Sequence, residues 1–256
     1  MSRRLFIFLA AAVCVMSGCS RRQPIVVGSK DSTEQKLLAE ITAQFLERQL
    51  PDAIVQRRFG LGDTRTVQQA LLNNEIGLYP EYTGLVVTEL LKETASDNPT
   101  VVLERARMEL KRLSLLEFLA PFGFESRNVL AIRTGDGEKL TTASDAANSK
   151  MRWKVGLSYE FQNKDTGLPS LNTYRLEMGA PLRSMKAEEL FKALGNKDVD
   201  LIVTTSTDGH LTSGDYKVLA DDQKAFPPMT AGLVVRDDVL AGEPKLQETL
   251  NRLSNR

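Results

Sequence analysis

The sequence predicts an α/β protein of two lobes with a ligand cleft between them, and three observations carry that expectation. Short β-branched runs end at glycine, as in Ile25-Val26-Val27-Gly28, the pattern of a buried strand. Strand, glycine turn and helix then recur, an order that places ligand sites at strand ends. The chain also crosses away near residue 128 and returns near 217–231. Its 256 residues suffice for two domains of ordinary size.

The elements follow in order. After the first strand, Ser32 or Thr33 caps a helix whose stripe is Leu37, Leu38, Ile41, Phe45 and Leu46. A second strand, about 54–59, gives way to Gly60-Leu61-Gly62-Asp63 and a helix carrying Val67, Ala70, Leu71 and Leu72. Residues 104–119 read as one long helix stopped by Pro121 and Gly123. Strands are predicted at 128–133, 154–157, 199–204, 216–220 and 231–235, a short loop-helix insert at 140–149, and partial helix at 181–194. Pro227-Pro228 breaks the chain before the last strand, and a short helix ends it.

The N-terminus reads as an address. Arg3 and Arg4 precede an apolar run from Leu5 to Met16, then Ser17-Gly18-Cys19. That run falls short of the roughly 20 residues a permanent membrane helix needs. Met16-Ser17-Gly18-Cys19 resembles the bacterial lipobox, which implies a signal peptide over 1–18, a lipid on Cys19 and a tether over 19–24. The alternative is an ordinary secretory signal cut nearby. Cys14 would leave with the signal, so no internal disulfide is expected.

Composition excludes several classes. Lys+Arg and Asp+Glu both number 33, so no global basic field points to nucleic acid. A single His and two Cys leave almost nothing for a zinc site. His210, in Asp208-Gly209-His210, lacks any Gly-x-Ser-x-Gly elbow to serve, and Asp208 fits an Asx-turn better. No catalytic residue and no cofactor is expected.

Several segments, in order, resemble the substrate-binding proteins of ABC importers for glycine betaine, choline, carnitine and related solutes. They are Gly28-Ser29-Lys30 with Thr33-Glu34-Gln35, Leu61-Gly62-Asp63-Thr64 with Gln69-Ala70-Leu71, and Glu75-Ile76-Gly77-Leu78-Tyr79-Pro80-Glu81-Tyr82-Thr83-Gly84. Gly167-Leu168-Pro169, Ser206-Thr207-Asp208-Gly209 and Phe226-Pro227-Pro228 complete the series. The resemblance implies a type-II periplasmic-binding-protein fold, with lobe 1 over 25–127 plus 217–256 and lobe 2 over 128–216. It further implies a non-enzymatic partner of a permease and an ATPase, held by lipid at the outer face of a bacterial membrane. Relatives run on beyond the segment matching 238–253, which implies a shortened terminal helix.

The implied ligand is a small polar or quaternary-ammonium solute held in a cage of aromatic rings. A trimethylammonium cannot donate a hydrogen bond, so π faces are its best neutral partners. Tyr82 matches a cage tyrosine. Asn128, Thr205 and Met229-Thr230 stand where the family has aromatics, and Lys164 where some relatives have a carboxylate-gripping arginine. The implied site is therefore Tyr82, Lys30, Asp63, Thr66, Lys164, Thr205, Gln35 and Asn128. Several of these have a plainer reading: Asp63 and Thr66 as helix caps, Lys30 as a solvated lysine. Tyr159 and Phe161 are candidate replacement rings. Loss of cage rings leaves two alternatives open, a pocket diverged toward another solute and a sensor or interaction lipoprotein that no longer transports.

Overall fold

Residues 23–164 and 166–254 are described by the computed structural model. Strand β1 (Ile25–Gly28), helix α1 (Thr33–Gln49), strand β2 (Val55–Arg58), helix α2 (Thr64–Leu72) and strand β3 (Leu78–Tyr82) begin the first lobe. A short turn, Thr83–Leu85, runs into a π-helical turn, Val86–Leu90, before α3 (Pro99–Ser114) and β4 (Leu116–Phe118). The second lobe holds β5 (Asn128–Arg133), α4 (Ala143–Asn148), β6 (Val155–Ser158), α5 (Tyr159–Asn163), α6 (Gly167–Asn172), β7 (Arg183–Met185), α7 (Leu190–Gly195), β8 (Leu201–Thr205) and β9 (Tyr216–Leu219). Strand β10 (Ala231–Arg236) and helices α8 (Asp237–Gly242) and α9 (Leu246–Asn251) return to the first lobe.

Each lobe is built on one five-stranded sheet, ordered β2-β1-β3-β10-β4 in the first and β7-β6-β8-β5-β9 in the second. Alternation along the strands divides lobe 1 into two cores. Ile25, Val27, Leu78, Leu233 and Val235 face α1 and α9, while Tyr79, Val234, Leu116 and Phe118 face α2 and α3. In lobe 2, Leu130, Ile132, Val155, Leu157 and Val203 bury Trp153, and Ala131 and Ile202 bury α7 on the other face.

Three boundaries differ from the sequence reading. The long helix starts at Pro99, capped by the Asn98 side chain, and stops at Leu115, whose φ of 52° is left-handed. Leu116–Phe118 is then an edge strand on β10, because Leu116 and Phe118 alternate into the core. Residues 216–219 pair with β5, so they belong to the lobe 2 sheet and the return lies later than 217. The two crossing segments meet instead at the bridge Glu125↔Thr230, with Ser126 N–H donating to Met229 O at 3.0 Å.

Candidate ligand cleft

The floor of the cleft is laid by the ends of β1 and β3. Strand β3 pairs with β1 only at Leu78. The Tyr82 N–H donates instead to Glu81 Oε1 at 2.8 Å. The same oxygen accepts Lys30 Nζ at 2.5 Å, and Nζ also donates to Thr64 Oγ1 at 3.3 Å. Lys30 is 6% exposed and Glu81 0%, so this ion pair is withdrawn from water and each charge depends on the other. Glu81 therefore meets a cation of its own chain.

Lys30 Nζ also lies 4.9 Å from the centre of the Tyr82 ring, within cation–π range. The ring packs against Leu85, Met229 and Ala231, with Phe122 and Phe124 alongside, and is 8% exposed. Tyr82 thus offers little open π surface, and Lys30 is no solvated lysine. Tyr79, its neighbour on β3, is core; its hydroxyl donates to Gln68 Oε1 at 2.9 Å. Burial, and then the Glu81 charge, push the Tyr79 phenol well above its ordinary value.

Glu34 joins the lobes. Its Oε1 accepts the Tyr82 hydroxyl, and its Oε2 accepts Thr207 Oγ1 from lobe 2 and Ser126 Oγ, at 3.3 Å, from the crossing segment. Ser126 Oγ and Thr207 Oγ1 are also 2.7 Å apart. Burial raises the Tyr82 phenol strongly, and the Glu34 carboxylate adds to the rise. The sequence reading passed over Glu34, although it lies inside the quoted Thr33-Glu34-Gln35; only the fold shows what its carboxylate meets.

Gln35 follows on α1. It is 1% exposed, its amide lies close enough to the Tyr82 hydroxyl to oppose the rise of that phenol, and neither Oε1 nor Nε2 makes a well-formed hydrogen bond among the described residues. A buried amide left in this state costs about 1–3 kcal/mol for each unmet group. Asp63 and Thr66 are taken up locally. Asp63 Oδ1 accepts Thr66 N–H at 2.9 Å and Thr66 Oγ1 at 2.7 Å, capping α2. The backbone N–H of Thr66, followed by its hydroxyl, holds the Asp63 carboxyl below its ordinary range.

Lobe 2 supplies the opposite wall. Asn128 and Thr205 are register partners where β5 and β8 reach the crossing segments, and both are partly exposed. Lys164 Nζ pairs with Glu160 Oε1 at 2.9 Å; the Lys164 side chain is 19% exposed and that of Glu160 58%. The Glu160 carboxyl is held below the usual carboxylate range, mainly by Lys164 and further by Lys30 of lobe 1, while burial and Asp63 oppose this. Phe161 is core, 3% exposed among Leu157 and Phe226, and is not a cleft ring, whereas Tyr159 is 55% exposed. Asp208 closes an Asx-turn on His210 N–H at 3.0 Å. Among the described residues, no cluster of His, Cys, Asp and Glu could hold a metal ion.

Two α/β lobes, hinged by paired crossing segments and facing each other with charged and amide side chains, define a two-lobed solute-binding protein. The chain belongs to the family described as the substrate binding domain of ABC-type glycine betaine transport systems, whose profile matches residues 23–255. Members of this family are solute-binding proteins, not enzymes. The chain is 29% identical over 258 residues to an ergothioneine transport permease/ergothioneine binding protein of Helicobacter pylori, covering 98% of this chain but 46% of that protein. It is 26% identical over 257 residues to the carnitine transport binding protein OpuCC of Listeria monocytogenes, covering 98% of this chain and 82% of the relative. The crystal structure of a glycine betaine/carnitine/choline ABC transporter protein superposes with a TM-score of 0.78 at 24% identity, covering 90% of this chain and 86% of that one. Apo YehZ from Escherichia coli superposes with a TM-score of 0.69 at 26% identity, covering 91% and 88%. No helix among the described residues is long and apolar enough to cross a membrane. Cys19 and the residues before it lie outside the described residues.

Proposed function

We propose that this chain captures a small polar solute, zwitterionic or of the glycine betaine, choline or carnitine type, between its lobes and delivers it to an ABC permease. Cys19 carries the lipid that holds it at the outer face of a bacterial membrane. Gln35, Asn128, Thr205 and Lys164 hydrogen-bond the solute, Lys30 and Tyr82 form the floor, and Asp63 and Thr66 shape the adjoining turn. Closure of the lobes on solute shifts the population toward the form the transporter accepts. The observation that carries this reading is the Gln35 amide, buried beside the Tyr82 hydroxyl with neither polar atom in a well-formed hydrogen bond among the described residues. A bound solute would repay that cost.

A thermal-shift screen tests it, using betaines, choline, carnitine, amino acids and polyols, with calorimetry on each hit. A solute at 100 times its Kd stabilises the folded protein by about 2.7 kcal/mol, which a melting curve resolves. Gln35→Ala should weaken any hit at least about tenfold while leaving the protein folded. A hit indifferent to Gln35 would remove the amide from the site, and silence across the panel with a cooperative melt would refute solute capture of this class. For the anchor, Cys19→Ser should move the protein from the membrane fraction to the soluble one.

A further inference from the structure

Hydrogen bonds fix which edge of the lobe 2 sheet faces lobe 1. At the carboxyl end of β8, Ser206 N–H donates to Arg127 O of a crossing segment at 2.8 Å, and Thr207 Oγ1 donates to Glu34 of lobe 1. Strand β6 lies beside β8 and runs parallel to it, so its carboxyl end opens on the same side, where sheets of this kind bind their ligands. The pairs Val155↔Leu201 and Gly156↔Ile202, carried forward along both strands, set the start of α5 at Tyr159 level with Thr205. Neighbouring strands lie about 4.8 Å apart, so Tyr159 begins one strand spacing from a residue already at the cleft.

The first turn of α5 keeps the Tyr159 ring out of the lobe. Ser158 Oγ accepts Phe161 N–H at 3.0 Å, and Phe161 is buried among Leu157, Leu171 and Phe226. Residues two apart on a helix point about 200° apart, so the anchored Phe161 turns Tyr159 away from that core. The Tyr159 side chain is 55% exposed, while every other Trp, Tyr and Phe among the described residues is buried or half-buried. The charge of Lys30, on the lobe 1 floor, reaches the carboxyl of the next residue, Glu160. Tyr159 is thus an open π face at the lobe 2 rim, beside the Asn128 and Thr205 pair that stands where the family has rings. A quaternary ammonium offers no N–H, so such a face is what its binding requires.

Resting on the solute-binding reading above, we infer that Tyr159 is a specificity-determining residue, the lobe 2 ring that closes over the trimethylammonium group of the solute. Calorimetry tests this with choline and glycine betaine, each beside its carbon isostere, 3,3-dimethyl-1-butanol and 3,3-dimethylbutanoate, which keep the shape and lose the cationic head. Tyr159→Leu should weaken the trimethylammonium compounds about five- to thirtyfold and the isosteres much less, whereas Tyr159→Phe, which keeps the π face, should stay within about twofold of the parent. Both variants should melt with the parent, because the side chain is exposed. An affinity unchanged in Tyr159→Leu overturns the inference and leaves solute capture standing. So does a loss in Tyr159→Leu that is equal for a solute and its isostere, since a merely reshaped cleft would lose both. A Tyr159→Phe variant as weak as Tyr159→Leu, or binding confined to compounds without a trimethylammonium group, overturns it as well. Silence from these four and from the whole screening panel refutes both this inference and solute capture.

Discussion

Replacing Lys30 by methionine should be among the most damaging single changes in the first lobe. The substitution keeps the length of the stem but removes the ammonium that lies 2.5 Å from Glu81 Oε1. Glu81 is fully buried and its Oε2 already has no partner, so the carboxylate would retain only the Tyr82 N–H. Breaking one side of a buried pair costs about 3–5 kcal/mol. At about 2–4 °C per kcal/mol for a chain of this size, the melting temperature should fall by roughly 6–20 °C. The double variant Lys30→Met/Glu81→Leu should recover most of this, because a buried pair exchanged for apolar groups is often neutral. The Tyr82 N–H would then lack its acceptor, and about 1–3 kcal/mol should remain lost. Urea denaturation followed by circular dichroism measures all three proteins. A Lys30→Met variant within about 0.5 kcal/mol of the parent would refute the reasoning and mean that the pair is solvated, with Lys30 free to meet a ligand.

Other outcomes follow from the same geometry. Thr207→Val and Glu34→Ala each remove a tie between the lobes, so fluorescence transfer between labels at Arg48→Cys and Lys192→Cys should report wider separation without solute; an unchanged distance would show that Glu34 does not hold the lobes together. Tyr82→Phe keeps the ring over Lys30 but loses the donor to Glu34, and should cost about 1.5–3 kcal/mol, the range for a hydrogen bond to a charged group, in the same urea titration. Gly84→Ala should destabilise by about 1–3 kcal/mol, since the added Cβ would collide with the Pro228 carbonyl oxygen; a neutral result would place that backbone further away. Asp145 accepts from Thr141 N–H, Thr141 Oγ1 and Thr142 N–H, and the first of these leads in pulling its carboxyl down to about 2. A lowered folded value stabilises above the unfolded value, here 3.8, and the gain is lost as pH falls through the folded one. The stability gap between the parent and Asp145→Ala should therefore be full above about pH 4 and close toward pH 2.

Much of the scaffold was readable because strands and turns leave local marks. Ile25-Val26-Val27-Gly28 and residues 128–133 announced themselves by β-branching, and Asp63 was readable as a cap. Strand β4 was not, because Leu110, Leu113 and Leu116 keep a helical spacing of three while Leu116 and Phe118 alternate, and only the left-handed Leu115 separates the two patterns. The candidate site was legible residue by residue and not as an arrangement. Lys30 and Tyr82 were both singled out, yet Glu81 meets Lys30 across 51 positions of sequence, a closeness no local pattern encodes. Glu34 carries the commonest surface chemistry there is; what distinguishes it is three hydroxyls from three segments. The family likeness supplied the cage as an expectation, and the packing of Tyr82 against Lys30 and Met229 altered it.

Strand β10 occupies the interior of the first sheet, between β3 and β4, although it is the last of the described strands. All of lobe 2 is contiguous and precedes it, so during synthesis the second lobe has its complete sheet while the first still has a slot. Leu233, Val234 and Val235, which complete both apolar layers, arrive only after the whole of lobe 2 has been made. Until then β3 and β4 present bare edges with no mutual pairing. The first lobe is thus a late-closing unit, keyed by its own C-terminal strand. A ribosome-stalled chain ending before residue 231 should show protease protection confined to the second lobe.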